Sequence, residues 1–148
     1  MKQIRLLKWL LEVDINKTKE FYSKDRHLCD CIYCGNYVEV SKTISSPLLE
    51  IFETLGIDPT KPSHVDEFGE MDGGLRLYIG HYHVVGKIIE GEYCTDSDWN
   101  ETNTAELENY RFGFQKDLLF VPDDIPTPVL QLEFETRLPW LLGEEPED

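Results

Sequence analysis

The chain has 148 residues, 29 of them Asp or Glu against 14 Lys or Arg, for a formal net charge of −15. That length supports one core and is short for two packed domains, while 41% hydrophobic and 11% aromatic content exclude global disorder. The acidic excess disfavours nucleic acid, whose phosphates need clustered Lys and Arg, and disfavours an anionic membrane surface.

The charge is uneven. Residues 1–88 carry 11 basic and 13 acidic side chains, whereas residues 89–148 carry 3 and 16. An acidic face of that kind suits a basic protein partner, in the manner of an immunity protein or an inhibitor, because it speeds association with a basic surface. The N-terminal segment is basic, so the two ends attract if the fold brings them together. No stretch has the make-up of a secretory signal or a membrane span, which makes a cytoplasmic location the expectation. The sequence sets no oligomeric state.

In chain order, Trp9, Leu11, Val13 and Ile15 alternate with polar or outward positions, which predicts a strand within 4–15. A polar stretch, 16–26, leads to the run His27-Leu28-Cys29-Asp30-Cys31-Ile32-Tyr33-Cys34-Gly35-Asn36. Beyond it the period changes: Tyr37, Val40, Ile44, Leu48, Ile51, Phe52 and Leu55 recur every three or four residues, one stripe of an amphipathic helix. Ser46-Pro47 reads as an N-cap followed by the first helical residue, splitting the stripe into two helices. Gly56 predicts a left-handed stop with Ile57 folding back on Phe52.

The remainder reads as strands. Asp72-Gly73-Gly74 is a turn, 75–89 is rich in β-formers with Gly80 and Gly86 as bulges or close-approach points, and 95–109 is a polar loop long enough to be mobile or functional. Strands follow at 110–114, 118–121 and 129–138. The expected fold is α+β, a mostly antiparallel β-sheet with one or two helices packed on one face, as a single domain over 1–142 with an acidic disordered tail at 143–148.

The chemistry concentrates in Cys29, Cys31 and Cys34. In this C-x-C-x-x-C run the gap from Cys31 to Cys34 is a zinc-knuckle spacing, and Gly35 is expected to free the backbone for a tight turn. Three thiolates suit a soft tetrahedral ion such as zinc, which needs a fourth ligand. His83 is placed first, with His81, His27 and Cys94 as alternatives; His81 and His83 share a face if their segment is a strand. The plainer readings make Cys34 a small buried hydrophobe and the two histidines packed sheet residues, with His64 on a surface loop. A thiol-redox use is the third reading, since Cys31-Ile32-Tyr33-Cys34 precedes a predicted helix, although the surrounding βαβ pattern is missing.

Other signatures are weak. There is no G-x-S-x-G elbow, P-loop or dinucleotide fingerprint, and Asp96, Asp98 and Asn100 lack the Gly and Glu of a calcium loop. An enzymatic role, using the thiols with a histidine base, is therefore ranked below a non-enzymatic one.

The run from Cys29 to Tyr37, the helix end at Leu55-Gly56-Ile57-Asp58-Pro59-Thr60-Lys61-Pro62, the segment Gly80-His81-Tyr82-His83-Val84-Val85-Gly86 and the closing strand at 130–134 together resemble a family of short uncharacterised bacterial proteins with a C-x-C-x-Y-C-x-N motif. The resemblance implies a bacterial, cytoplasmic protein and brings no activity with it.

Overall fold

The computed structural model describes residues 1–26 and 29–146. It shows the expected α+β class, with an antiparallel seven-stranded sheet and three helices. The strands are β1 (Lys2–Leu6), β2 (Trp9–Val13), β3 (His64–Glu70), β4 (Arg76–Glu90), β5 (Ala105–Leu107), β6 (Tyr110–Gln115) and β7 (Val129–Leu138). The helices are α1 (Ile15–Ser23), α2 (Ile32–Ser41) and α3 (Ser46–Leu55).

Strand β4 organises the sheet. One of its edges pairs along residues 76–85 with β7, which continues to β6 and β5. The other edge is shared: its first half takes β3, with Val65 opposite Gly80, and its second half takes β2, with Val13 opposite Gly86. Both glycines are close-approach points, since a Cβ at Gly80 would lie 2.9 Å from Val65 Cα and one at Gly86 3.1 Å from Val13 Cα.

Alternation along β4 and β7 sorts the sheet into two faces. Tyr78, Tyr82 and Phe134 face α2 and α3, where Tyr37 stacks on Phe134 at 5.3 Å and Phe52 packs on Tyr82 at 5.0 Å. The Tyr37 hydroxyl meets those of Tyr82 (2.5 Å) and Tyr110 (3.3 Å), so the polar tips of these buried rings satisfy one another. His81, His83, Gln131 and Glu133 point to the opposite face.

Several expectations about single elements change. The strand expected within 4–15 is a hairpin, because Leu7 takes φ 52° and turns the chain between β1 and β2. The polar stretch after it is α1, capped by Asp14, whose carboxylate accepts from Lys17 N–H at 3.0 Å. Only Thr18, Phe21 and Tyr22 of α1 are buried, too few to stand out in a polar sequence. The N-cap of α3 is Ser45 with Pro47 in the first turn, one residue before the expected position. Its end is as predicted: Gly56 has φ 83° and Ile57 N–H returns to the Phe52 carbonyl at 2.9 Å.

Residues 118–121 form no strand. Phe120 has φ 52°, and Leu119 N–H goes to the Gln131 side-chain oxygen at 2.7 Å instead of to a neighbouring strand. The polar loop from Thr95 carries β5 and is held by its own asparagines. Asn100 accepts from Thr102 N–H (2.8 Å), and the buried Asn103 donates to the Asp98 carbonyl (2.7 Å). Trp140 donates to the Glu144 carbonyl, and the last two residues of the predicted tail, Glu147 and Asp148, lie outside the described residues.

The two ends of the charge distribution do meet. Arg5 pairs with Glu90 at 3.2 Å and Arg26 with Asp124 at 2.7 Å in a two-pronged contact. Asp124 is accordingly held down to about 2, chiefly by hydrogen bonding from Arg26 against a small burial effect.

Asn36 ties α2 to the segment after β7. Fully buried, it accepts from Leu141 N–H (2.7 Å) and donates to the Pro139 carbonyl (3.0 Å) and the Tyr78 hydroxyl (3.3 Å). Asn36→Ala is expected to cost about 2–3 kcal/mol, since it strands buried backbone groups. Urea unfolding at unchanged slope reads this directly, and a loss below about 0.5 kcal/mol would show that Pro139 and Leu141 find other partners.

Candidate metal centre

Cys29, Cys31 and Cys34 converge where the chain enters α2. Their sulfurs all lie within 4.8 Å of one another, and they form the one such group of three metal-ligating side chains among the described residues. The local chain explains the convergence. Cys31 is the N-cap of α2, in extended conformation (ψ 157°), and its sulfur accepts from Cys34 N–H at 3.5 Å, as a capping oxygen would. One helical turn therefore sets Cys34 beside Cys31. Two residues back, Cys29 Sγ accepts from Cys31 N–H at 3.4 Å, which turns Cys29 toward the helix end. Gly35 makes no tight turn: it lies inside α2, and its bare face lets Leu142 approach.

The sulfurs differ in exposure, Cys29 and Cys31 being exposed and Cys34 buried. Burial works against a thiolate on Cys31, but it is outweighed by hydrogen bonding from Cys34 N–H, the Cys34 and Cys29 thiols and the Tyr33 backbone, so its pKa falls below the usual thiol value. Cys34 moves the other way. Burial raises it first, and its bond to Cys31 and the charge on Cys31 and Cys29 raise it further.

The cluster opens on a cavity of about 520 Å³ walled by Tyr33, Tyr78, Val65 and Glu67. Sequence reasoning missed these neighbours because β3 has too few apolar residues to read as a strand. Tyr78 donates to the Tyr33 carbonyl at 2.9 Å and so braces the first turn of α2 against β4. Glu67 faces Arg76 at 3.5 Å and also accepts from Gly69 N–H.

The structure does not bring His83 to the sulfurs. It lies on the sheet face opposite α2, fully buried, with Nδ1 against Ser63 Oγ (2.7 Å) and Nε2 against the Gln131 side-chain oxygen (3.2 Å). His81 is on the same far face, its ring 5.0 Å from that of His83 and its Nδ1 3.8 Å from Glu133. Cys94 is buried beside Gly113 and Gln115, and its thiol is pushed up to about 12, mainly by burial. The strand alternation that makes His81 and His83 neighbours is what turns both away from the cysteines. His27 lies outside the described residues.

His64 opens β3 and is not a loop residue. It bonds Asp66 at 2.8 Å and stacks on Phe120 at 4.8 Å, and Phe120 in turn lies parallel to the His81 ring. Burial is the main cause that holds His81 down to about 3, with the His83 and His64 rings adding to it and the Leu119 backbone opposing. His83 is lowered by burial as well, against hydrogen bonding from Gln131 and Leu119.

What the site offers is three soft sulfur donors at the positive end of a helix, a set that could hold a metal ion. No helix among the described residues is long and apolar enough to cross a membrane. In comparisons with known proteins, the chain matches no family model, no curated protein and no solved structure.

Proposed function

We propose that the protein is a small non-enzymatic metal-binding domain in which Cys29, Cys31 and Cys34 hold a thiophilic ion, zinc in the first instance. The convergence of the three sulfurs within 4.8 Å carries the reading. Zinc–sulfur bonds of about 2.3 Å in a tetrahedron set sulfurs roughly 3.8 Å apart, so a closure of about 1 Å suffices. With His81, His83 and Cys94 turned elsewhere, the fourth position goes to water or to a group outside the described residues. Bound there, the ion would pin the loop before α2 to the helix cap and brace the cavity wall at Tyr33 and Tyr78.

Protein purified without a histidine tag is expected to carry about one equivalent of zinc, and Cys29→Ser, Cys31→Ser and Cys34→Ser each to lower it at least tenfold in affinity. Less than about one tenth of an equivalent, with all thiols freely titratable, would overturn the assignment.

A second reading, an acidic face for a basic protein partner, draws on the charge excess of residues 89–148. It ranks lower because Glu90 and Asp124 are already matched by Arg5 and Arg26.

A further inference from the structure

The metal-free cluster supports a chemistry beyond ion binding. We propose that Cys31 and Cys34 form a thiol–disulfide exchange pair toward small-molecule disulfides, with Cys31 as the attacking sulfur and Cys34 as the resolving one.

Three observations define the roles. Access comes first: Cys31 is exposed at the mouth of the cavity, whereas Cys34 is 5% exposed and out of reach of an external disulfide. Charge placement comes second. Before it attacks, the Cys31 thiolate carries its negative charge on a sulfur toward which the N-terminal N–H of Cys34 points, at the head of a ten-residue helix. Cys29 is exposed too, but it precedes the helix and accepts from the Cys31 N–H instead of from one inside the helix. Third, the i, i+3 spacing over one helical turn puts the two side chains about 5–6 Å apart at Cβ. The N-cap residue sits outside the helical backbone and can turn inward to close that gap to the about 4 Å of a disulfide. A Cys29–Cys31 bridge would close a smaller and more strained ring.

The Cys31 thiolate, its proton lost to water, attacks one sulfur of R–S–S–R; the Cys31–S–R bond forms, the S–S bond of the reagent breaks, and RS⁻ leaves and takes up a proton. Cys34 then loses its proton to water and attacks Cys31 Sγ, forming the Cys31–Cys34 disulfide and expelling the second RS⁻, protonated in turn. The protein dithiol is oxidised by two electrons and the reagent is reduced to two thiols. Because Asp66 and Glu67 both line the cavity, a neutral disulfide is the better reagent than an anionic one.

The test uses the full chain, stripped of metal by a chelator, with hydroxyethyl disulfide as probe and urea-unfolded protein as the reference. The native protein is expected to release two equivalents of mercaptoethanol, faster than the unfolded chain by at least tenfold, with peptide mapping finding Cys31 joined to Cys34. Acid-quenched early time points should show a single adduct on Cys31. Cys31→Ser, exposed and an equally good cap, should lose at least tenfold in rate, and Cys94→Ser, at a thiol buried elsewhere beside Gly113, should stay within twofold of the parent. A first adduct on Cys29, an undiminished rate in Cys31→Ser, or a native rate no higher than that of the unfolded chain would each overturn the proposal. Since the metal has been removed, failure here leaves the zinc stoichiometry untouched, and a protein that passes this test but carries no zinc as purified would lose the metal reading alone.

Discussion

Gly80→Ala is expected to destabilise the protein by about 3 kcal/mol or more, enough to unfold much of the population at 37 °C if total stability is ordinary. The added methyl would meet Val65 Cα and Phe134 Cζ at 2.9 Å, and the His64 carbonyl oxygen more closely still. Two of these are backbone atoms of β3, and β4 cannot withdraw because β7 is bonded to its other edge across the same residue, with Gly80 opposite Phe134. Gly143→Ala serves as control, since a Cβ there meets nothing within 4 Å. Thermal and urea unfolding of the two variants should differ widely, and equal stability would show that β3 is not seated on β4 as described.

Acidification is the second large effect. Between pH 6.5 and 4.5 the protein is expected to lose about 3 kcal/mol, from about 1.4 kcal/mol per pH unit for each proton taken up on unfolding. His81 has a folded pKa of about 3, below its unfolded value near 6.5. The unfolded chain therefore binds a proton that the folded chain refuses, so the stability is fully present above 6.5 and drains away as pH falls toward 3. His83, lowered by burial, acts in the same direction.

Glu133 opposes them in part. Its pKa is raised, chiefly by burial, so it takes up a proton in the fold before it does so in the unfolded chain. The other groups facing the pair are the His64 ring across β3 and, on its strand, Asp66. Asp124 titrates too low to contribute in this window. His81→Met should remove about one proton from the slope while leaving the fold intact at pH 7. A flat stability profile from pH 7 to 4.5 in the parent chain would show that these rings are wetter than their burial indicates.

The sequence is informative where one signal dominates. Gly56 after the Leu48, Ile51, Phe52 and Leu55 stripe specifies a helix end by backbone sterics alone, and β7 alternates cleanly because each of its faces meets a different environment. The three sulfurs are also legible, since Cys31 and Cys34 are one helical turn apart wherever that helix begins.

Other features depend on distant residues. β3 reads His-Val-Asp-Glu-Phe-Gly-Glu, a surface composition, and becomes a strand only because β4 offers it an edge. The choice of His83 as fourth ligand depends on two histidines sharing one face, which they do, and on that face being the cysteine face, which only the position of α2 decides. Likewise the hydrophobic run 118–121 has strand composition, but its Leu119 N–H is taken by a side chain.

Strand order also sets a schedule for folding. β7 lies between β4 and β6, so the sheet has a gap at its centre until residue 138 is available. During synthesis, β1 to β4 and the three helices can gather around the Tyr78 and Tyr82 face, but β4 keeps a long unpaired edge and Phe134 is missing from the middle of the aromatic cluster. Non-local closure of this kind is slow. For that interval the nascent chain exposes its longest strand as a template for other chains, and the shielding it has is the charge carried by the residues that emerge next.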